Sequence, residues 1–380
     1  MARLGEVFVL QMGKTPARAN NQYWNNGDHD WVSISDLSNY DKYVGETKET
    51  ISDVAVIESG IKPAPANTVI MSFKLTLGKT AITTKPTYTN EAIMAFIPTG
   101  NYPVCPNYFY HFLGGRDWSK GTNRAVMGTT LNKATLSEID VIVPSLAKQI
   151  EISERLDIID SVISLRKQQL AKLDELVKAR FVELFGDPVN NSKGLPELTL
   201  PELGEFGRGV SKHRPRNDPK LLGGEYPLIQ TGEVANSELY ITSYENTYSE
   251  LGLKQSKMWK AGTLCITIAA NIAKTAILTF DACFPDSVVG FKANDKTNNI
   301  FIHYWFSFFQ AILEAQAPES AQKNINLKIL SELKIIVPPI EQQNEFMAFV
   351  EQTDKSKLVI QKSLDWLETL KKSLMQKYFG

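Results

Sequence analysis

Arg208, Lys212, His213, Arg214, Arg216 and Lys220 crowd into one short stretch in which Gly209, Pro215 and Pro219 break any helix. Guanidinium and ammonium groups on a flexible loop can follow phosphates, and an arginine can give guanine a bidentate pair on its major-groove edge. A solvated charged loop fits the same pattern, so the stretch by itself leaves both readings open. Lys212, Arg214 and Arg216 are its DNA-binding candidates, and Lys14, Arg18, Lys120 and Arg124 are sparser ones nearer the N-terminus. Lys79 and Lys274 stand at matched places after tight turns, either as phosphate anchors or as exposed turn lysines. Trp31 and Trp259 could stack on bases, although tryptophan among strand residues more often belongs to a core.

Bond-making chemistry leaves no comparable trace. The chain has no Walker loop, no paired-histidine zinc motif, no glycine-rich dinucleotide turn and no Gly-x-Ser-x-Gly elbow. It also lacks an Asn-Pro-Pro-Tyr or Asp-Pro-Pro-Tyr run, by which an amino-methyltransferase would hold a flipped adenine. His29, His111, His213 and His303 stand in no metal-ligand spacing, so neither a catalytic residue nor a metal site is expected. His111 and His303 lie in aromatic helical runs and read as core histidines. The three cysteines, Cys105, Cys265 and Cys283, are widely spaced among apolar neighbours and read as reduced core residues.

The elements that must carry the basic loops are written twice. Asn67-Thr-Val-Ile-Met matches Gly262-Thr-Leu-Cys-Ile, Lys79-Thr-Ala-Ile matches Lys274-Thr-Ala-Ile and Phe96 matches Phe291, each 195 positions apart. Further on, Leu136-Ser-Glu, Val143-Pro144, Gln149 and Gly186 recur 194 positions later. So long a period makes each copy a domain plus a helix rather than a turn of a solenoid. The expected division is a globular segment over 1–143, a long helix over 144–186, a linker over 187–196, a second globular segment over 197–337 and a second long helix over 338–380. Backbone signals recur while surface residues diverge, as expected of two domains that share a fold and read different ligands.

Each long helix carries a heptad seam. The first runs through Ile152, Leu156, Ile159, Ile163, Leu170, Leu173, Val177 and Leu184, with Arg166 and Arg180 in the remaining slots. The second runs through Phe346, Val350, Ile360, Leu364, Leu367, Leu374 and Tyr378, interrupted by Thr353, Lys357 and Lys371. Pairing of the two helices is expected, with Arg166, Thr353, Lys357 and Lys371 as places where a partner subunit is met instead. A helix of about forty residues is roughly 60 Å long, which makes it a spacer.

A 380-residue chain with 43% hydrophobic and 22% charged residues predicts a folded protein of two or more domains. Its formal net charge of -1 means that any basic face must be made by folding. No apolar run approaches the ~18 residues of a membrane span and Met1-Ala-Arg-Leu-Gly-Glu is no signal peptide, so a cytoplasmic protein without a membrane partner is expected.

With those residues in view, the whole chain resembles the specificity subunit of a type I restriction-modification system. The resemblance is carried by Gly13-Lys-Thr-Pro, Tyr23-Trp24 and Trp31-Val-Ser-Ile-Ser-Asp-Leu at the front. Val143-Pro144 to Gln149 and Val337-Pro-Pro-Ile-Glu-Gln-Gln mark the helix starts, and Leu184-Phe-Gly and Tyr378-Phe-Gly close the copies. Ser145-Leu-Ala-Lys-Gln departs from the family's Pro-Leu-x-Glu-Gln tendency at the first helix start. The resemblance implies an α+β fold: two similar target recognition domains joined by two long helices forming an antiparallel coiled coil, with pseudo-twofold symmetry. It further implies a non-catalytic chain that reads a bipartite site in double-stranded DNA. Its implied partners are two copies of a methylation subunit carrying S-adenosylmethionine and a restriction subunit using ATP and Mg, with no cofactor in this chain. A coiled-coil adaptor without DNA specificity and a stand-alone methyltransferase or nuclease are the competing expectations.

Overall fold

The computed structural model describes residues 1–380 except 75, 119–123, 126–127, 130, 270 and 317–324, and side chains are also left undescribed at 26, 28, 124–125, 128–129, 311 and 313–316. The chain divides into two compact units, residues 1–167 with 362–380, and residues 168–361. Each unit thus holds one globular domain with a stretch of each long helix, a different division from that of the sequence repeat. The reason is length: a 40-residue helix extends about 60 Å, farther than one small domain can cover.

In the first domain β1 (Phe8–Met12), β4 (Val69–Ser72), β5 (Thr80–Ile82) and β7 (Ile93–Pro98) form an antiparallel sheet in the order β1-β7-β4-β5. Beside it β2 (Trp24–Val32), β3 (Glu49–Ile51) and β6 (Tyr88–Thr89) make a second sheet, β3-β2-β6. Residues of β4 are buried throughout, because the first sheet is covered on both faces. Alternation sends Val69, Met71, Met94 and Phe96 to one face, where Phe109 and Phe112 of α1 (Pro106–Gly114) and Ile152 and Leu156 of α2 (Leu146–Phe185) pack. Ile70, Ala81, Ile93 and Ala95 face Val32, Leu37 and Val44 on the other.

The second domain repeats the plan with additions. β8 (Gly204–Arg208), β10 (Tyr240–Ile241), β13 (Leu264–Thr267), β14 (Thr275–Leu278) and β16 (Val288–Ala293) are ordered β8-β16-β13-β14-β10. β9 (Leu222–Leu228), β11 (Asn246–Tyr248), β12 (Met258–Trp259) and β15 (Ala282–Cys283) are ordered β11-β9-β15-β12. Leu264, Ile266 and Phe291 meet Phe301 and Trp305 of α3 (Asn299–Gln316), Phe181 and Phe185 of α2, and Phe346 and Val350 of α4 (Ile340–Phe379). The aromatic run beginning at Phe301 is therefore core, as its helical spacing suggests.

The recurring glutamine locks each long helix to its domain. Gln149 is fully buried: its Oε1 accepts from the Cys105 N–H at 2.8 Å, and its Nε2 donates to the carbonyls of Pro103 and Pro144 at 2.9 Å each. Gln343, equally buried, accepts from Thr297 Oγ1 at 2.9 Å and donates to the carbonyls of Lys296 at 3.0 Å and Pro338 at 2.9 Å. A buried amide with three such partners explains why glutamine stands at both places.

Within the first unit Asp160 pairs with Lys371 at 2.5 Å and Lys167 with Glu368 at 3.0 Å. Within the second, Arg180 pairs with Glu345 at 2.6 Å and Lys357 with Asp174. Rising numbers on α2 meet falling numbers on α4, so the two helical stretches run antiparallel in each unit. All the named seam positions are buried or half-buried, from Ile152 through Leu184 and from Phe346 through Tyr378. Two expectations are corrected. Lys357 and Lys371 are not left open for a partner, since acids of the opposite helix take them, and Thr353 is buried with its hydroxyl donating to the Phe349 carbonyl at 2.9 Å. Near the end of α2 the fully buried positions are Phe181 and Phe185, whereas Arg180 and Leu184 are half-buried. A 3.6-residue helix drifts about 20° per heptad from a 3.5-residue seam, and there the aromatic core of the second domain draws that drifted face inward.

Candidate nucleic-acid interface

Among the described residues, Lys14 and Arg18 follow β1 and Lys79 precedes β5 in the first domain, as Lys212, Arg214 and Arg216 follow β8 and Lys274 precedes β14 in the second. In the first domain β1 ends at Met12 opposite Met94, and β4 ends at Ser72 opposite Ile93, so the loop after β1 and the turn after β4 start side by side. The loop is fixed by the Gly13 N–H donating to the Ile93 carbonyl at 3.0 Å and the Lys14 N–H donating to the Thr89 carbonyl at 2.9 Å. Gly13 is required there, because a Cβ would lie 2.3 Å from the carbonyl oxygens of Thr89 and Asn90. Lys14 gives its ammonium to the Ser59 carbonyl and takes the indole N–H of Trp31 on its own carbonyl at 3.0 Å. Arg18 lies over the Trp24 ring at 3.8 Å and the Trp31 ring at 4.8 Å, with Nη2 donating to Glu49 at 3.1 Å. Trp31 is buried edge-to-face against Trp24 and serves as a floor for Arg18 rather than a free stacking surface.

The second domain uses the same anchor with a different load. The Gly209 N–H donates to the Val288 carbonyl at 2.8 Å, and a Cβ on Gly209 would lie 2.2 Å from the Phe284 carbonyl oxygen. The Val210 N–H donates to the Phe284 carbonyl at 3.1 Å, and Ser256 Oγ donates to the Val210 carbonyl at 2.8 Å. Gln255 Oε1 then accepts from the N–H groups of Lys212 at 2.7 Å and His213 at 3.1 Å. The basic stretch is consequently pinned along its backbone, not the flexible loop its glycines and prolines suggest. Arg214 donates from Nη1 to the Ser211 carbonyl at 2.6 Å and lies 3.5 Å from Asp286, which also holds Arg216. Arg208 and Arg216 line a groove of about 390 Å³ with Ile268, Ala269, Asp286, Ser287, Ile325 and Asn326. Lys212 remains exposed, with no ion pair among the described residues.

Lys79 and Lys274 close a turn built the same way twice. The Lys79 N–H donates to Ser72 Oγ and the Lys274 N–H to Thr267 Oγ1, both at 3.0 Å. The Gly78 N–H reaches the Ser72 carbonyl and the Ala273 N–H the Thr267 carbonyl, both at 2.9 Å. Lys79 is exposed and lines a hollow of about 220 Å³ with Asp41, His111, Asp160 and Lys371, so its setting differs from that of Lys14 and Arg18. Lys274 is half-buried. Lys120 lies outside the described residues, and of Arg124 only the place in the short strand Arg124–Ala125 is described.

His111, His303, Cys265 and Cys283 belong to the packed interior of their domains. His111 is buried with Nε2 2.8 Å from Asp157, whose carboxylate also takes the Lys42 ammonium at 2.6 Å; burial lowers the histidine's pKa although Asp157 works against it. Burial pushes His303 down to about 4, with Nδ1 2.9 Å from Thr275 Oγ1. Burial likewise raises the thiols of Cys265 and Cys283. Among the described residues no group of three or more His, Cys, Asp or Glu could hold a metal ion, and no helix is long and apolar enough to cross a membrane. Sequence reading missed Glu49, Gln255 and Asp286, the groups that fix the basic side chains and loops; nothing local to the loops announces partners 31 to 72 residues away.

Two similar domains, each with an anchored basic loop at one sheet end, define a class of modular recognition protein. The chain belongs to the type I restriction modification DNA specificity domain family, whose sequence profile matches residues 1–175 and again 197–368. It is similar to the type I restriction enzyme MjaIX specificity subunit of Methanocaldococcus jannaschii, 24% identical over 273 residues that cover 67% of this chain and 62% of that protein. It is also similar to the EcoprrI specificity subunit of Escherichia coli, 24% identical over 382 residues covering 92% and 86%. The chain spans about 62% of the length of the first of these relatives and 61% of a second Methanocaldococcus jannaschii subunit, MjaX. In fold it matches the S subunit of a type I restriction-modification system from M. genitalium, with a TM-score of 0.58 at 13% identity over all of this chain and 95% of that one. A chain from a structural study of type I complex assembly and conformational transition matches with a TM-score of 0.65 at 16% identity, covering 100% and 96%.

Proposed function

We propose that this chain is the DNA-reading subunit of a type I restriction-modification complex and that it reads a bipartite duplex target, one half per domain. The observation that carries this reading is the repeated sheet end: two domains keep one backbone anchor, Gly13 on Ile93 and Gly209 on Val288, while presenting different side chains from it. A shared scaffold with divergent loops is what two half-sites of different sequence require. In this reading Lys14, Lys79, Lys212 and Lys274 face phosphates, and Arg18, Arg208, Arg214 and Arg216 are the candidates for base edges. Sequence-independent affinity comes largely from partners, since a chain of net charge -1 brings little of it.

Chemistry in this reading belongs to the partners. A methylation subunit, in two copies, supplies S-adenosylmethionine and modifies adenine, and a restriction subunit supplies ATP- and Mg-dependent cleavage. The two long helices act as the spacer that sets the unread gap between half-sites. A cytoplasmic location follows from the DNA target. Sequencing of methylated positions in the host, with and without this gene and with residues 1–143 exchanged for those of a relative, tests the reading. The expected result is a change in one half of the methylated sequence, with the other half and the gap retained. A change in both halves, or a methylation pattern indifferent to the gene, overturns it.

A further inference from the structure

We propose that Asp286 is a specificity-determining residue of the second domain, an acid that withholds Arg214 and Arg216 from DNA backbone that offers phosphates alone. The inference rests on the DNA-reading function proposed above and concerns which residue sets its selectivity.

Three observations carry it. Asp286 faces both arginines, one oxygen on Arg216 and the other 3.5 Å from Arg214, so a single carboxylate answers two guanidinium groups. Both sides of the contact are fixed: the loop through Gly209, Val210 and the Gln255 amide, and the acid by its place two residues before Val288, whose carbonyl takes the Gly209 N–H. Lastly, the first domain has an acid at the matched position. Glu91 stands 195 residues earlier and accepts from the hydroxyl of Thr15, in the loop that follows Gly13. An acid at this place therefore grips the reading loop in both domains, but among the described residues it pairs with cations in the second domain alone. Asp286 also lines the groove that Arg208 and Arg216 share, and its side chain retains about a third of its accessible surface, so it is within reach of a ligand in that groove.

The physical consequence is selective. A phosphate must compete with a carboxylate already in place, and it gains only the difference. A base edge in the groove can be met by the arginine while the carboxylate stays, because guanine presents acceptors and cytosine or adenine presents an amino donor to the acid. The acid thus penalises phosphate-only binding more than base-specific binding, as repulsive elements do in other selective interfaces.

The test uses the whole 380-residue chain and a mixed-sequence DNA duplex, with affinity followed by fluorescence anisotropy as salt is varied. Asp286→Asn keeps the shape and a hydrogen bond but removes the charge. It is expected to bind the mixed duplex roughly three- to tenfold more tightly, with a salt slope steeper by about one to two, since two released arginines add up to two phosphate contacts. Asp286→Glu should restore near-wild-type behaviour, which separates charge from damage to the fold. In the host, Asp286→Asn should spread methylation to degenerate variants of one half-site. If Asp286→Asn matches the wild type in affinity and slope while Arg216→Ala weakens binding, the proposal fails and DNA reading stands. If neither wild type nor variant binds duplex DNA at any salt, with or without the methylation subunit, the DNA reading fails and takes the proposal with it.

Discussion

The loop after the first strand is anchored alike in the two domains and loaded differently. Gly13 and Gly209 donate to equivalent strand carbonyls at 3.0 and 2.8 Å, and neither position has room for a Cβ. Beyond that anchor, Arg18 lies on a tryptophan floor beside Glu49, whereas Arg214 and Arg216 share Asp286 above a loop tied to Gln255. The difference teaches where duplication conserves and where it diverges. Main-chain hydrogen bonds with no side-chain alternative persist, since losing one leaves a buried polar group unpaired. Exposed side chains on the same frame can change at little cost to the fold.

The helix locks offer the largest break in this comparison. Gln149 and Gln343 are both fully buried and each make three hydrogen bonds, but Gln149 accepts from a backbone N–H and Gln343 from a threonine hydroxyl. A hydroxyl can turn to another acceptor; the Cys105 N–H cannot. Gln149→Ala and Gln343→Ala are each expected to cost roughly 3 kcal/mol, with Gln149→Ala the more damaging by about 1 kcal/mol. Urea unfolding of the two variants measures it, and equal losses would show that the hydroxyl gains nothing from its freedom.

Acid should distinguish the units next. His303 is pushed down to about 4 by burial, so the unfolded chain binds the extra proton first and stability rises with pH between about 4 and 6.5. Lowering the pH from 7 to 5 should cost about 2 kcal/mol through this residue. His111 is also lowered, but Asp157 favours its charged form, so its contribution is smaller. His303→Gln should flatten the dependence of unfolding on pH in that window more than His111→Gln does. A steeper loss from His111→Gln would reverse the ranking.

Much of this architecture was legible because repetition is a property of order along the chain. The matched runs from Asn67 and Gly262 became β4 and β13, and the heptads became helices ending at Phe185 and Phe379. The burial of Trp31 and His111 followed from their neighbours. Side-chain partners were not legible. Asp286 lies 70 residues from Arg216, and Gln255 lies 43 from Lys212; the tertiary fold brings them together. The stiffness of the basic loop was hidden for the same reason, as glycine and proline report what a backbone can do and not what holds it. Phe181 and Phe185 were missed because a rigid heptad ignores helical drift.

The smallest expected effect lies in the turn that most resembles itself. Gly78 has φ of 79° and Ala273 φ of 58°, both in the left-handed region that glycine alone occupies without penalty. At Gly78 a methyl would add strain and strike the Trp118 ring, 2.5 Å from the Cβ position. At Ala273 the methyl is buried and accommodated, so its packing already offsets the strain. Gly78→Ala should therefore destabilise by about 1–2 kcal/mol. Ala273→Gly should change stability by no more than about 0.5 kcal/mol, because relief of strain, lost burial and added unfolded-state entropy nearly cancel. Calorimetry of both variants sharpens the comparison: if Ala273→Gly stabilised by more than 1 kcal/mol, the second turn would be strained rather than adapted, and its alanine would need a reason beyond packing.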